Sequence, residues 1–208
     1  MSPSLAWGSS VIRTVVISLL CWSAFFGLAF AEERADQGLA SAQIDAFHAT
    51  LIQGMAMDDH ATRYELYRAS IVDLFDVVRI AQISCGRGWR KLDEAQQQAF
   101  VDALTDNIAH TYASRFTTFN DQQFSVEEEQ AVRKGVVVKA VVTAPERTVQ
   151  LDYFLSDGKV FNVAADGVSD LSLRRSEYSR LLKEDGFDAL LAQIKDNTRN
   201  LAGESADE

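Results

Sequence analysis

Cysteine is almost absent from this chain of 208 residues: there are two, and Cys21 sits inside an apolar N-terminal leader. Once that leader is removed, Cys85 stands alone, so no intrachain disulfide can form and stability must come from an ordinary core. Cys85 lies in an apolar helical stretch without a Cys or His nearby, which marks it as a small buried hydrophobe rather than a reactive thiol. Clustered basic residues are missing too, which removes the electrostatic footprint of a nucleic-acid binder. No G-x-S-x-G elbow, phosphate loop or dinucleotide fingerprint occurs, and Gly86-Arg87-Gly88 is a helix-ending turn too short to cradle a phosphate. The three histidines, His48, His60 and His110, have no Cys or second His at metal-ligand spacing, so neither a metal nor a cofactor is expected. Asp73 and Asp76 fall one turn apart, but such a pair is more often a solvated helix face than an acid and base pair, and no catalytic residue is assigned.

Acidic residues are absent from residues 1–31, where Arg13 is the only charge and Val15 to Phe30 runs apolar into Ala29-Phe30-Ala31. That is the pattern of a secretory signal cleaved after Ala31. Val11 to Ala31 is also just long enough to span a bilayer, so a retained anchor is the alternative. Cleavage leaves residues 32–208 with 19 bases against all 30 acids, a net charge of −11. Such a surface is repelled by phosphate backbones and by anionic membrane faces, which argues against nucleic acid as a partner and favours a soluble secreted protein over one held on a membrane.

Residues 32–38 form a polar lead-in, and one domain is expected over 39–202, followed by an acidic tail at 203–208. Ile44, Phe47, Leu51 and Met55 share one helical face, as do Tyr64, Tyr67, Ile71, Leu74 and Val78 in a second segment that runs to Gly86. Asp93 and Gln96 form a capping signature, and Phe100, Leu104, Ile108, Tyr112 and Phe116 then make an i, i+4 row over four turns. After Asn120 the period changes to two. Phe124 and Val126 open a strand, Val136 to Val142 reads as a strand buried on both faces, and Val149 to Leu155 alternates with one wet face. Turn residues at 133–135, 144–146 and 156–158 join four strands into an antiparallel meander. A last helical stretch runs from Asp170 to about Leu201. The expected fold is α+β, with a twisted sheet on a helical layer. A curved sheet backed by helices is also the layout of ketosteroid-isomerase-like enzymes. Asp152 and Tyr153 are the residues that could serve such chemistry, yet as strand neighbours they point to opposite faces unless a bulge intervenes.

The run from Gly158 to Tyr178 carries a V-x-x-D-G-V-S-x-L-x-x-R-R-x-E-Y pattern, from Val163 through Asp166-Gly167-Val168-Ser169, Leu171, Arg174-Arg175 and Glu177-Tyr178. Together with Asp185-Gly186-Phe187, it resembles the closing segment of the MlaC family of periplasmic lipid-binding proteins, most closely the hopanoid-associated HpnM branch. Phe75-Asp76, Ile80-Ala81, Gly86, Trp89-Arg90, Gln96 or Gln97, Phe100 and Tyr112-Ala113 follow the same family's order. The chain departs from the family at Val160-Phe161, where Trp is usual, and at Asn162, where Asp is common.

The resemblance implies a non-enzymatic carrier that shields acyl or hopanoid tails in an apolar cavity between sheet and helices. A phospholipid or hopanoid ligand follows, as does transient docking to an inner-membrane transporter and an outer-membrane acceptor, with the protein itself a monomer. It assigns Trp89, Phe100, Leu104, Ile108, Tyr112, Val138, Tyr153, Phe161 and Val163 to the cavity, with Arg174 or Arg175 near its mouth facing the polar head. A ligand-free accessory subunit is the other reading. Burying a chain of ~16 carbons is worth on the order of 13 kcal/mol relative to water, so such a carrier hands its lipid between apolar sites rather than releasing it.

Overall fold

In a computed structural model of the protein, residues 38–203 are described. The leader at 1–31, most of the polar lead-in and most of the acidic tail lie outside them. The architecture is that of the unit that begins at Ala40.

Apolar residues three and four apart produce the first helix, α1 (Leu39–Met55), which buries Ile44, Phe47, Leu51 and Met55. Helix α2 (His60–Leu74) starts where the Asp59 carboxylate accepts from the Thr62 N–H, and it buries Tyr67, Ile71 and Leu74. The apolar row was expected to continue through Val78, but the helix stops at Phe75, whose backbone is extended. Asp76 then donates its N–H to the Val160 carbonyl at 2.9 Å and caps a new helix, α3 (Val77–Cys85), by accepting from the Arg79 N–H. The break resets the helical phase, and Val78 is left 49% exposed. Phe75 forms an isolated parallel bridge with Val160, so the interruption joins the helical layer to the sheet.

A 3₁₀ turn, Gly86–Lys91, buries Trp89 and leads into α4 (Glu94–Arg115). Its start has the expected capping box: Asp93 accepts from the Gln96 N–H at 2.8 Å, and the Gln96 side chain accepts from the Asp93 N–H at 3.1 Å. Phe100, Leu104 and Ile108 are buried in sequence along one face, with Tyr112 and the helix-ending Phe116 half-buried above them.

The sheet is an antiparallel meander in the order β1 (Gln123–Val132), β2 (Gly135–Ala144), β3 (Arg147–Ser156), β4 (Lys159–Ala165) and β5 (Val168–Ser169). Four strands were expected, and the fifth is a two-residue continuation beyond Asp166-Gly167. Positive φ at both Asp157-Gly158 and Asp166-Gly167 gives the tight hairpin turns that match strand twist. β2 is buried on both faces only at Val137 and Val138. Farther along, Val141 and Val142 are half-buried, because the sheet is open and β1 is an exposed edge. The register shifts twice. Glu127 is the extra residue on β1, and Phe161 is the extra residue on β4 between the pairs Phe154 to Asn162 and Leu155 to Val160.

The closing helical stretch is two helices, not one. α5 (Asp170–Glu184) ends at Asp185, and Gly186, with φ of 87°, redirects the chain into α6 (Phe187–Ala202). α5 packs on α3, and α6 lies along α4. Among the described residues no helix is long and apolar enough to cross a membrane.

Candidate lipid-binding site

A cavity of about 300 Å³ opens where the C-terminal half of α4 faces the inner side of the sheet. From α4 it takes Ile108, Thr111, Tyr112 and Arg115, with Phe116 at the helix end; each lies three or four residues from another of the set, as one helix face requires. β3 contributes Leu151 and Tyr153, and β4 contributes Phe161, Asn162, Val163 and Ala165. Phe161 reaches this wall from the bulge, with the Arg79 guanidinium 4.0 Å over its ring. Phe75 and Ile80, from the α2/α3 break, form a further part of the wall. Val168, Asp170, Leu171, Leu173 and Arg174 complete it where the chain passes from sheet into α5.

Six of the eleven residues assigned from the sequence therefore line this space: Ile108, Tyr112, Tyr153, Phe161, Val163 and Arg174. The other five stand elsewhere. Trp89 meets Phe100 edge-on at 6.3 Å, and Phe100 meets Tyr178 edge-on at 5.9 Å, so both belong to the packed core below the cavity. Leu104 and Val138 are fully buried in that core. Arg175 is exposed, because successive residues on an α-helix are about 100° apart and Arg174 takes the inward direction.

The wall is mostly apolar, and its polar residues are held in place. Arg174, with a side chain 12% exposed, donates to the Asp170 carboxylate at 2.6 Å, to the Tyr178 hydroxyl at 3.0 Å and to Asn107 Oδ1 at 3.2 Å. Asn107 in turn donates to Asn197 Oδ1 at 2.9 Å and to Thr198 Oγ1 at 3.1 Å, tying α4 to α6. Asn162, one of the departures from the family pattern, accepts from the Ser169 hydroxyl at 2.9 Å and the Leu171 N–H at 3.2 Å. It thus fixes the entry into α5, an acceptor role that an Asp carboxylate would also perform.

Tyr153 is deeply buried, and its hydroxyl meets His48 Nε2 at 3.0 Å. Burial, then the neighbouring Tyr112, holds the Tyr153 phenol well above its ordinary range. Burial, then Asp170, raises Tyr112 likewise. Asp152, opposite Lys139 and Ala164, does not line the cavity; the nearby bulge lies on β4, so Asp152 and Tyr153 keep the alternation of a regular strand. Cys85 is buried and its thiol is pushed up to about 12, which suppresses the thiolate. One pairing had no signature in the sequence. His60 Nε2 and His110 Nδ1 approach to 2.9 Å across α2 and α4, beneath a stacked Tyr64. No group of three or more His, Cys, Asp or Glu that could hold a metal occurs among the described residues.

The wall residues missed by sequence reasoning include Val168, Asp170, Leu171 and Leu173 at the passage from sheet into α5, and two further kinds. Thr111, Arg115 and Leu151 lie one helical turn or one strand repeat from assigned residues, and their spacing could have found them. Phe75 and Ile80 depend on the helix break, which the sequence pattern concealed.

A family model described as MlaC protein matches residues 42–196 of this chain. Among solved structures, the chain is similar to a phospholipid-binding protein from Ralstonia solanacearum determined in complex with a phospholipid. Sequence identity is 22%, covering 78% of this chain and 98% of that one, with a TM-score of 0.69, a likeness of fold.

Proposed function

Because this chain belongs to the MlaC family, we propose that it is a periplasmic lipid carrier that shields lipid tails in the α4–sheet cavity and exchanges them with membrane partners on either side. The carrying observation is the cavity itself: a mostly apolar space of about 300 Å³ whose lining also takes in Arg174, Asp170 and Arg115. Apolar walls with a few charged groups among them match a molecule with a tail and a head. The Ralstonia protein of the same fold, with phospholipid bound, supports the same reading.

Each buried methylene is worth about 0.8 kcal/mol, so release of a tail into water is unfavourable, and transfer proceeds through docking to an inner-membrane transporter and an outer-membrane acceptor. The cargo is a phospholipid or a hopanoid; the resemblance of the closing segment to the HpnM branch supports the latter. Secretion follows from the leader at 1–31, with cleavage after Ala31.

Native mass spectrometry of the mature protein, purified from its own membranes and followed by lipid extraction, tests the reading. Copurifying lipid is expected at about one per chain. Recovery of none, with no uptake of added phospholipid or hopanoid, would overturn it.

A further inference from the structure

A second chamber, of about 250 Å³, lies between α4, α5 and α6 and shares Thr111, Arg115, Asp170, Leu173 and Arg174 with the apolar cavity. Asn107, Gln193 and Asn197 give it a polar wall, so an apolar space and a polar one meet at a common border. Four charged residues line it: Arg115 and Arg174, Asp170 and Glu177. Arg174 and Asp170 neutralise each other through their 2.6 Å contact. The Arg115 side chain has no hydrogen bond or ion pair among the described residues, and Glu177 accepts from the Gln193 amide, its nearest cation being Arg180, which is itself paired with Glu184.

We propose that this chamber is a headgroup site for a zwitterionic phospholipid, with Arg115 taking the phosphate and Glu177 the terminal ammonium. The inference rests on the carrier reading and deepens it. The order of the residues matches the order of the molecule. Arg115 borders both spaces, where the phosphate next to the glycerol must lie, whereas Glu177 borders only the polar one, where the outer end of the headgroup falls. Arg presents parallel donors that match phosphate oxygens. An anionic headgroup would satisfy Arg115 but leave the Glu177 carboxylate facing like charge, and a net charge of −10 for the whole chain adds to that repulsion. An uncharged polyol would leave both charges unanswered.

The test uses the mature chain incubated with vesicles holding equal amounts of phosphatidylethanolamine and phosphatidylglycerol with identical acyl chains, bound lipid being read by native mass spectrometry. Total uptake by the wild-type protein reports the carrier reading alone, and the ratio of the two headgroups reports the site. The wild-type protein is expected to favour phosphatidylethanolamine by about fivefold, the factor that one partly exposed ion pair supplies. Glu177→Lys should reverse the preference, and Arg115→Gln should weaken capture of both lipids relative to diacylglycerol with the same chains. Both positions are exposed, so the substitutions leave the core intact, and thermal unfolding checks this. Uptake at equal ratio in wild type and variants would overturn the headgroup site while leaving the carrier standing. Equal uptake of diacylglycerol or a hopanoid polyol in competition with phosphatidylethanolamine would overturn it too. No uptake of any lipid would remove both.

Discussion

His48 shows how one side chain can make stability depend on pH. It is 3% exposed, its Nε2 is engaged by Tyr153, and its Nδ1 has no hydrogen-bond partner. Burial lowers its pKa from 6.5 to about 4. In the unfolded chain the ring takes a proton near pH 6.5, so the folded state resists protonation that the unfolded state accepts. The contribution to stability is therefore complete above pH 6.5 and is lost as the pH falls towards 4, reaching about 3 kcal/mol. Urea unfolding at pH 7.5 and 4.5 should show this loss in the wild-type protein, and His48→Gln should flatten most of the dependence. An equal pH dependence in both proteins would refute the assignment. The cavity wall gives a second residue-scale test. Val163, half-buried on β4, faces the space between α4 and the sheet. Val163→Trp should place an indole ring inside the 300 Å³ space and reduce lipid uptake severalfold, while the midpoint of thermal unfolding changes little because the added ring occupies existing space. Uptake at the wild-type level would show that lipid sits elsewhere.

At the scale of elements, the long helix α4 is the support of the site. It contributes four wall residues over two turns, leads into a fifth at Phe116, and also carries Asn107, which ties it to α6. Its start depends on the reciprocal bonds between Asp93 and Gln96. Asp93→Ala removes an acceptor from the first turn and should cost about 1 kcal/mol, measured as a shift of the urea midpoint at constant m-value. Because the cavity lies at the opposite end of the helix, lipid uptake per folded molecule should not change. The other decisive elements are short. The break at Phe75-Asp76 brings two helices and β4 together, and the bulge at Phe161 adds an aromatic side chain to the cavity wall.

At the scale of the molecule, the sheet and helices enclose one core that continues into the cavity floor. Trp89, Phe100, Leu104 and Val138 belong to the packed cluster, which also holds Ile108 and Tyr153, and Ile108, Tyr112, Tyr153 and Val163 border the space left open. The cavity is thus the unfilled end of the core, with Arg174 and its partners marking its limit. A carrier needs this division, since a fully packed core would hold no tail and a fully open one would not be stable.

Local periodicity and turn chemistry were enough to determine the α+β order, the α4 face and its cap, and the meander, because each depends on residues within a few positions of one another. Six assigned residues on the cavity wall were reached through the resemblance and the α4 row. Tertiary structure decided the rest. Whether Leu104 or Ile108 borders empty space depends on what stands opposite, and residues on one row look alike until the facing strand is in place. The choice of Arg174 over Arg175, the contact of His60 with His110, the end of α2 at Phe75 and the second chamber all arise from segments far apart in the chain. No spacing within one segment encodes where another segment will pack.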